Sequence, residues 1–140
     1  MKTWLIDTAL FATLGPASSQ KSGLRHLLGT HREPVFLSMI SLVEIEAAIG
    51  RVPSSQQPHI CALRNWLDGL ISTFSDRIHL VDAAVAVRTG KLLPHCHAGY
   101  PRYRFHDVVL VATAQMHGHG LLTKREGVFG AWTNIAVASP

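Results

Sequence analysis

The most constraining stretch of this chain lies near its C-terminus, where residues 105 to 123 read FHDVVLVATAQMHGHGLLT. A single acid, Asp107, heads an apolar run that extends to Met116, and a His-Gly-His-Gly break leads into Leu121-Leu122-Thr123. Val108, Val109, Leu110, Val111, Ala112 and Ala114 are apolar nearly all round a helix. The pattern therefore predicts a helix inside the fold, a tight turn and a buried strand at 120 to 123. A carboxylate on a buried helix needs a reason. It caps the helix, where free N–H groups and peptide dipoles favour negative charge, or it holds a cation.

The rest of the chain alternates short apolar runs with helical periodicity. Thr3-Trp4-Leu5-Ile6 reads as a buried strand, closed by Asp7-Thr8, which starts a helix through Leu14 that Gly15-Pro16 stops. A second helix is expected at 18 to 29, with Leu24, Leu27 and Leu28 on one face. Pro34-Val35-Phe36-Leu37 reads as the second strand, and Ser38 or Ser41 caps a helix carrying Leu42, Ile45 and Ile49. After the polar loop SSQQP, a helix from His59 to about Phe74 buries Leu63, Trp66, Leu67, Leu70 and Ile71. Ile78 to Val81 is a third strand, Asp82 caps a helix carrying Val85, Val87, Leu92 and Leu93, and residues 98 to 104 form a basic, aromatic loop. A last strand is expected at Asn134 to Val137. Short apolar strands alternating with helices predict a parallel sheet covered on both faces, in one domain spanning residues 1–140.

Composition narrows the class. A charged fraction of 16% beside 47% hydrophobic residues argues against disorder. No apolar run is long enough to span a bilayer, and Asp7 interrupts the first one, which argues against a signal peptide. Cys61 and Cys96, far apart, read as two free thiols of a cytoplasmic protein. A net charge of +4 is compatible with a polyanionic partner.

Three acids stand out. In a parallel sheet the functional crevice lies beyond the carboxyl ends of the strands. Asp7 follows the first strand, Glu44 lies early in the helix after the second, and Asp107 begins the helix before the fourth. Asp7 and Glu44 belong to one sheet edge; Asp107 joins them if its helix starts there too. Each also has a capping role open to it, and Ser41-Leu42-Val43-Glu44 fits a capping box. Glu46, turned about 200° from Glu44, faces solvent. Clustered carboxylates repel one another unless a cation sits between them, and hard oxygen ligands favour Mg²⁺ or Mn²⁺, the ions suited to phosphodiester hydrolysis. Arg102, Arg104, Lys124 and Arg125 are the basic residues available to hold the phosphates; for any single one of them a solvated surface charge is the more frequent reading. His117 and His119 flank a glycine turn and lack an evident third ligand for a transition metal.

Leu5-Ile6-Asp7-Thr8, Leu37 through Ile45 with Glu44, and His106 through Ala114 with Asp107, continued by His117-Gly118 to Leu122-Thr123, together resemble PIN-domain ribonucleases of the VapC toxin type. The likeness covers essentially the whole chain. It implies a three-layer α/β/α sandwich on a five-stranded parallel sheet and Mg²⁺- or Mn²⁺-dependent RNA cleavage at Asp7, Glu44 and Asp107. It also implies a homodimer and neutralisation by a small antitoxin. Two positions depart from the family pattern. Ala9 stands where Asn is usual, and in Thr123-Lys124-Arg125-Glu126-Gly127-Val128-Phe129 the place of a fourth acid falls on Val128, with Arg125 in the place of an Asn. Glu126 is the nearest acid and the candidate replacement as a metal ligand. The alternative reading is a weakened or inactive PIN-like domain that binds an antitoxin or RNA as a regulatory module.

Overall fold

In the computed structural model, residues 1–15, 29, 32–96, 103–130 and 134–140 are described. Five strands form one parallel sheet: β1 (Trp4–Ile6), β2 (Val35–Ser38), β3 (Ile78–His79), β4 (Gly120–Leu122) and β5 (Val137–Ala138), in the order β3-β2-β1-β4-β5. The helices are α1 (Thr8–Leu14), α2 (Met39–Gly50), α3 (Gln57–Thr73), α4 (Ala83–Leu92) with a 3-10 turn at Leu93–Cys96, α5 (Phe105–His117) and the short α6 (Glu126–Phe129).

Strand alternation divides the core in two. Trp4, Ile6, Val35, Leu37 and Leu122 point to one face and pack with Leu10, Phe11, Ile45, Ile49, Leu67, Leu70 and Phe74 from α1, α2 and α3. Leu5 and Leu121 point to the other and pack with Val85, Leu92, Phe129 and the apolar run of α5. The result is the expected α/β/α sandwich, and burial of both sheet faces explains why the strands read as unbroken apolar runs. Burial of residues 107 to 114 accounts for the nearly all-round apolar character of α5.

Local chemistry sets the helix ends. The carboxylate of Asp7 accepts from the N–H of Ala9 at 3.3 Å, Ser38 Oγ from the N–H of Ile40 at 3.3 Å, and Asp82 from the N–H of Val85 at 2.9 Å. Each such cap contributes about 1 kcal/mol. Ser38 thus caps α2, while Ser41 lies buried inside it and Glu44 turns to other partners. Gly118 ends α5 with φ of 69°, the left-handed backbone that lets the chain reverse into β4.

Several expectations shift. β3 is shorter than the run Ile78 to Val81, because Leu80 is 63% exposed beyond the sheet edge. The last strand is Val137–Ala138, pairing with Leu121 and Leu122, rather than Asn134 to Val137. Ile71, expected in the buried stripe, is exposed, and so is Val87, one of the apolar positions of α4. The helix expected at 18 to 29, apart from Gly29, together with Arg102 and most of the 98 to 104 loop, lies outside the described residues. Among the described residues no helix is long and apolar enough to cross a membrane.

Candidate functional site

The sheet order places the switch point between β1 and β4, where the chain's progress across the sheet reverses. Asp7 leaves β1 there and Thr123 leaves β4 beside it: the N–H of Asp7 bonds the carbonyl of Leu122 at 2.9 Å, and Thr123 Oγ1 donates to Asp7 Oδ2 at 2.7 Å. α5 starts at the same edge and brings in Asp107. Its Oδ2 accepts from the N–H of Arg104 at 3.1 Å, so this acid also caps its helix. The two carboxylates are buried, with Asp7 at 0% and Asp107 at 3% exposure.

A cation does lie between them, and it is Arg125. Its Nε and Nη2 donate to Asp7 Oδ2 and Oδ1 at 3.0 and 2.9 Å, a two-pronged pair, and Nη2 also donates to Asp107 Oδ1 at 2.8 Å. Its guanidinium rests over the Phe129 ring at 4.9 Å. Burial alone would lower the Arg125 pKa, but hydrogen bonds and charge from Asp7 and Asp107 outweigh it and raise the pKa, so the group stays charged. The question of cap or cation-holder has the same answer at both acids: each does both.

Glu44 belongs to the same crevice by a different set of contacts. Thr8 Oγ1 donates to Glu44 Oε1 at 2.9 Å and lies 2.8 Å from Ser41 Oγ. On its other oxygen, Glu44 faces Arg104 Nη2 at 3.8 Å and His106 Nδ1 at 3.5 Å. Arg104, more than half exposed, also approaches Asp107 Oδ2 at 3.8 Å and so links Glu44 to the buried pair. Glu46 is exposed and pairs with Arg64 at 2.7 Å, outside the site. Glu126 is exposed at the start of α6, and among the described residues its side chain forms no ion pair or hydrogen bond with the three acids. Lys124 is exposed; Val128 packs against the second core cluster. Among the described residues no group of three or more His, Cys, Asp or Glu side chains is placed to hold a metal ion.

A second polar cluster was visible in the sequence only in part. His79 of β3 meets His119, just before β4, with Nε2 atoms 2.7 Å apart, and stacks on His117 at 3.7 Å between ring centroids. Phe36 stacks on His79 and His119 at 5.0 and 4.5 Å, and Thr3 Oγ1 lies 2.6 Å from His119 Nδ1. His117-x-His119 was the visible half; His79 arrives through the sheet order.

No family model matches the chain, and no curated protein sequence does. Solved structures match over nearly its full length. FitAcB from Neisseria gonorrhoeae has a TM-score of 0.73 at 23% identity, covering 96% of this chain and 95% of that one. VapBC2 from Rickettsia felis, bound to a DNA fragment from its promoter, has 0.72 at 16%, covering 98% of each. VapBC-5 from Mycobacterium tuberculosis, of the VapBC family of toxin–antitoxin systems, has 0.65 at 18%, covering 99% of this chain and 98% of that one. The chain has their fold. The likeness to VapC-type toxins read from the three acidic segments is therefore borne out in the fold.

Proposed function

We propose that the chain is the toxin-type subunit of a toxin–antitoxin pair and a hydrolase of RNA phosphodiester bonds, with Asp7, Glu44 and Asp107 as its acidic centre. The observation that carries this reading is the meeting of three acids from separate elements at the switch point of a parallel sheet, where such folds do their chemistry. The likeness to toxin–antitoxin complexes supports the partner class.

Mg²⁺ or Mn²⁺ is the ion that a carboxylate set of this kind attracts, and when bound it would supply an activated water and offset charge on the phosphate. The donors do not fit such an ion in the present arrangement. Both oxygens of Asp7 and one of Asp107 are engaged by Arg125, and the other oxygen of Asp107 is held by the Arg104 N–H. No step through an ion follows from it. The chain's own groups are suited to binding: Arg104 and Lys124 offer exposed positive charge to RNA phosphates beside the crevice.

A groove of about 530 Å³ runs from Glu44 and Arg104 along α1, α2 and α3, lined by Phe11, Ile45, Leu63 and Trp66. It suits an amphipathic antitoxin helix, the occupant that this reading assigns to it. A homodimer through apolar helical surface is part of the same reading.

The test is RNA cleavage by the antitoxin-free chain with Mg²⁺ or Mn²⁺, against Asp107→Asn. Metal-dependent cleavage lost in the variant supports the hydrolase. The arginine lodged between the two buried acids favours a second reading, an RNA- or antitoxin-binding module without activity. RNA binding with no cleavage by either the wild type or Arg125→Gln would select it.

A further inference from the structure

Resting on that reading of the acidic centre, we infer that Arg125 is an internal cation that closes it: the guanidinium takes the place between Asp7 and Asp107, and with it there these residues do not accept a divalent ion.

The geometry excludes joint occupancy. Nη2 bridges Asp7 Oδ1 at 2.9 Å and Asp107 Oδ1 at 2.8 Å, as a shared ion would. An ion bound to those oxygens at about 2.1 Å would overlap the guanidinium and repel it. Charge balance agrees. Three carboxylates (Asp7, Glu44, Asp107) face two guanidinium groups (Arg104, Arg125), leaving one net negative charge, too little to strip water from a divalent ion. Withdrawing Arg125 raises that to two and leaves buried like charges adjacent, which is the condition that demands a cation.

The neighbouring backbone holds this residue in place. The N–H of Arg125 donates to Thr123 Oγ1 at 2.8 Å, and its carbonyl accepts from Val128 and Phe129 at 2.9 and 3.3 Å. Its guanidinium is held by three hydrogen bonds to Asp7 and Asp107 and rests over Phe129, with the side chain 26% exposed.

The experiment is a Mn²⁺ titration of the full chain, read by the electron-spin resonance of free Mn²⁺ and by thermal unfolding with and without metal. The wild type should bind Mn²⁺ weakly and show no metal-dependent change in melting temperature. Arg125→Gln should bind about tenfold or more tightly, a gain of roughly one pair-charge's worth of attraction, and melt higher with Mn²⁺ than without. Arg125→Lys, which keeps the charge, should bind no more tightly than the wild type. Adding Asp107→Asn to Arg125→Gln should remove the gain. Wild-type binding as tight as that of Arg125→Gln, and lost in Asp107→Asn, would overturn the closure while leaving the hydrolase intact. Conversely, a metal response confined to Arg125→Gln supports the closure even if no variant cleaves RNA, an outcome that would sink only the hydrolase. Should Arg125→Gln fail to fold, the wild type is compared with Asp107→Asn: equally weak Mn²⁺ binding in both supports the closure, and tight wild-type binding lost in Asp107→Asn overturns it.

Discussion

The acidic crevice and the histidine trio are both clusters of titratable side chains, solved in opposite ways. In the crevice, charge is kept on Arg125: Asp7 and Asp107 lie buried beside it, and each of their carboxylate oxygens has a partner. In the trio, charge is refused at His79 and His119. His79, His117 and His119 have each other, Phe36 and Thr3 as neighbours, and among the described residues no carboxylate pairs with them. His119 is held down to about 4, first by burial and then by the charges its two neighbours would carry; His79 is lowered by burial and by His117. The lesson is that burial alone does not decide ionisation. A supplied counter-charge does, and only the crevice has one.

Breaking the crevice should give the largest effect. Asp7→Asn keeps an acceptor for the Ala9 N–H but removes the charge that Arg125 grips with two nitrogens. Removing one partner of a buried pair strands the other, and with Asp107 still in place the cost should fall near about 3 kcal/mol, the low end for such pairs. Urea denaturation measures it. A loss below about 1 kcal/mol would mean that the pair adds little beyond the cap.

Acid should break the trio next. Unfolded histidines protonate near pH 6.5, whereas folded His119 resists until about 4. Between those values the unfolded chain binds more protons, so stability is complete above pH 6.5 and falls as pH drops toward 4. By pH 5 the loss from His119 is about 2 kcal/mol, taking about 1.4 kcal/mol per unit. His119→Gln should flatten the slope of melting temperature between pH 7 and 5; an unchanged slope would assign it to other groups.

Gly120→Ala perturbs the trio by packing rather than protons. A Cβ there would stand 2.5 Å from Trp4 Cζ3 and 3.1 Å from the Ala136 carbonyl. Trp4 cannot yield easily, since it is 5% exposed and its indole N–H is bonded to Glu33. Overpacking of this kind costs about 1.5 kcal/mol. Any shift of β4 also moves His119 off Thr3 and His79, so the variant's pH slope should soften along with its stability. A full slope at reduced stability would show the trio to be independent of the β4 register.

These contrasts track what was legible in the sequence. The sandwich was legible because each strand is a short apolar run bounded by Asp, Ser or Gly, and both sheet faces are covered. Asp7 and Asp107 were legible because an acid at the edge of an apolar element stands out. Arg125 was legible only as a positive charge in a loop. Its inward turn depends on Thr123 holding its backbone and Phe129 flooring its side chain, contacts that spacing does not encode. The trio was hidden for the same reason, since His79 and His119 meet across strands that are distant in sequence. Val87 and Ile71 had helical spacing but face outward, because apolar residues need not all be buried.

Glu126→Gln should have the smallest effect. The residue is exposed at the first position of a four-residue helix, and its local role is carried by its carbonyl, which accepts from Gly130 at 2.7 Å. A helix that short has little dipole for its charge to favour, so stability should change by less than about 0.5 kcal/mol. The sharper measurement places Glu126→Gln on the Arg125→Gln background. With Arg125 in its place the crevice has no need of Glu126. Once the guanidinium is gone, the demand for a counter-ion rises, and Glu126 is the acid of the same loop that could be drawn to share it. The expected result is an unchanged Mn²⁺ affinity, leaving Asp7, Glu44 and Asp107 as the donors. A fall in affinity of about tenfold would instead make Glu126 a ligand recruited only in the open form, and the position occupied by Val128 would then need no acid at all.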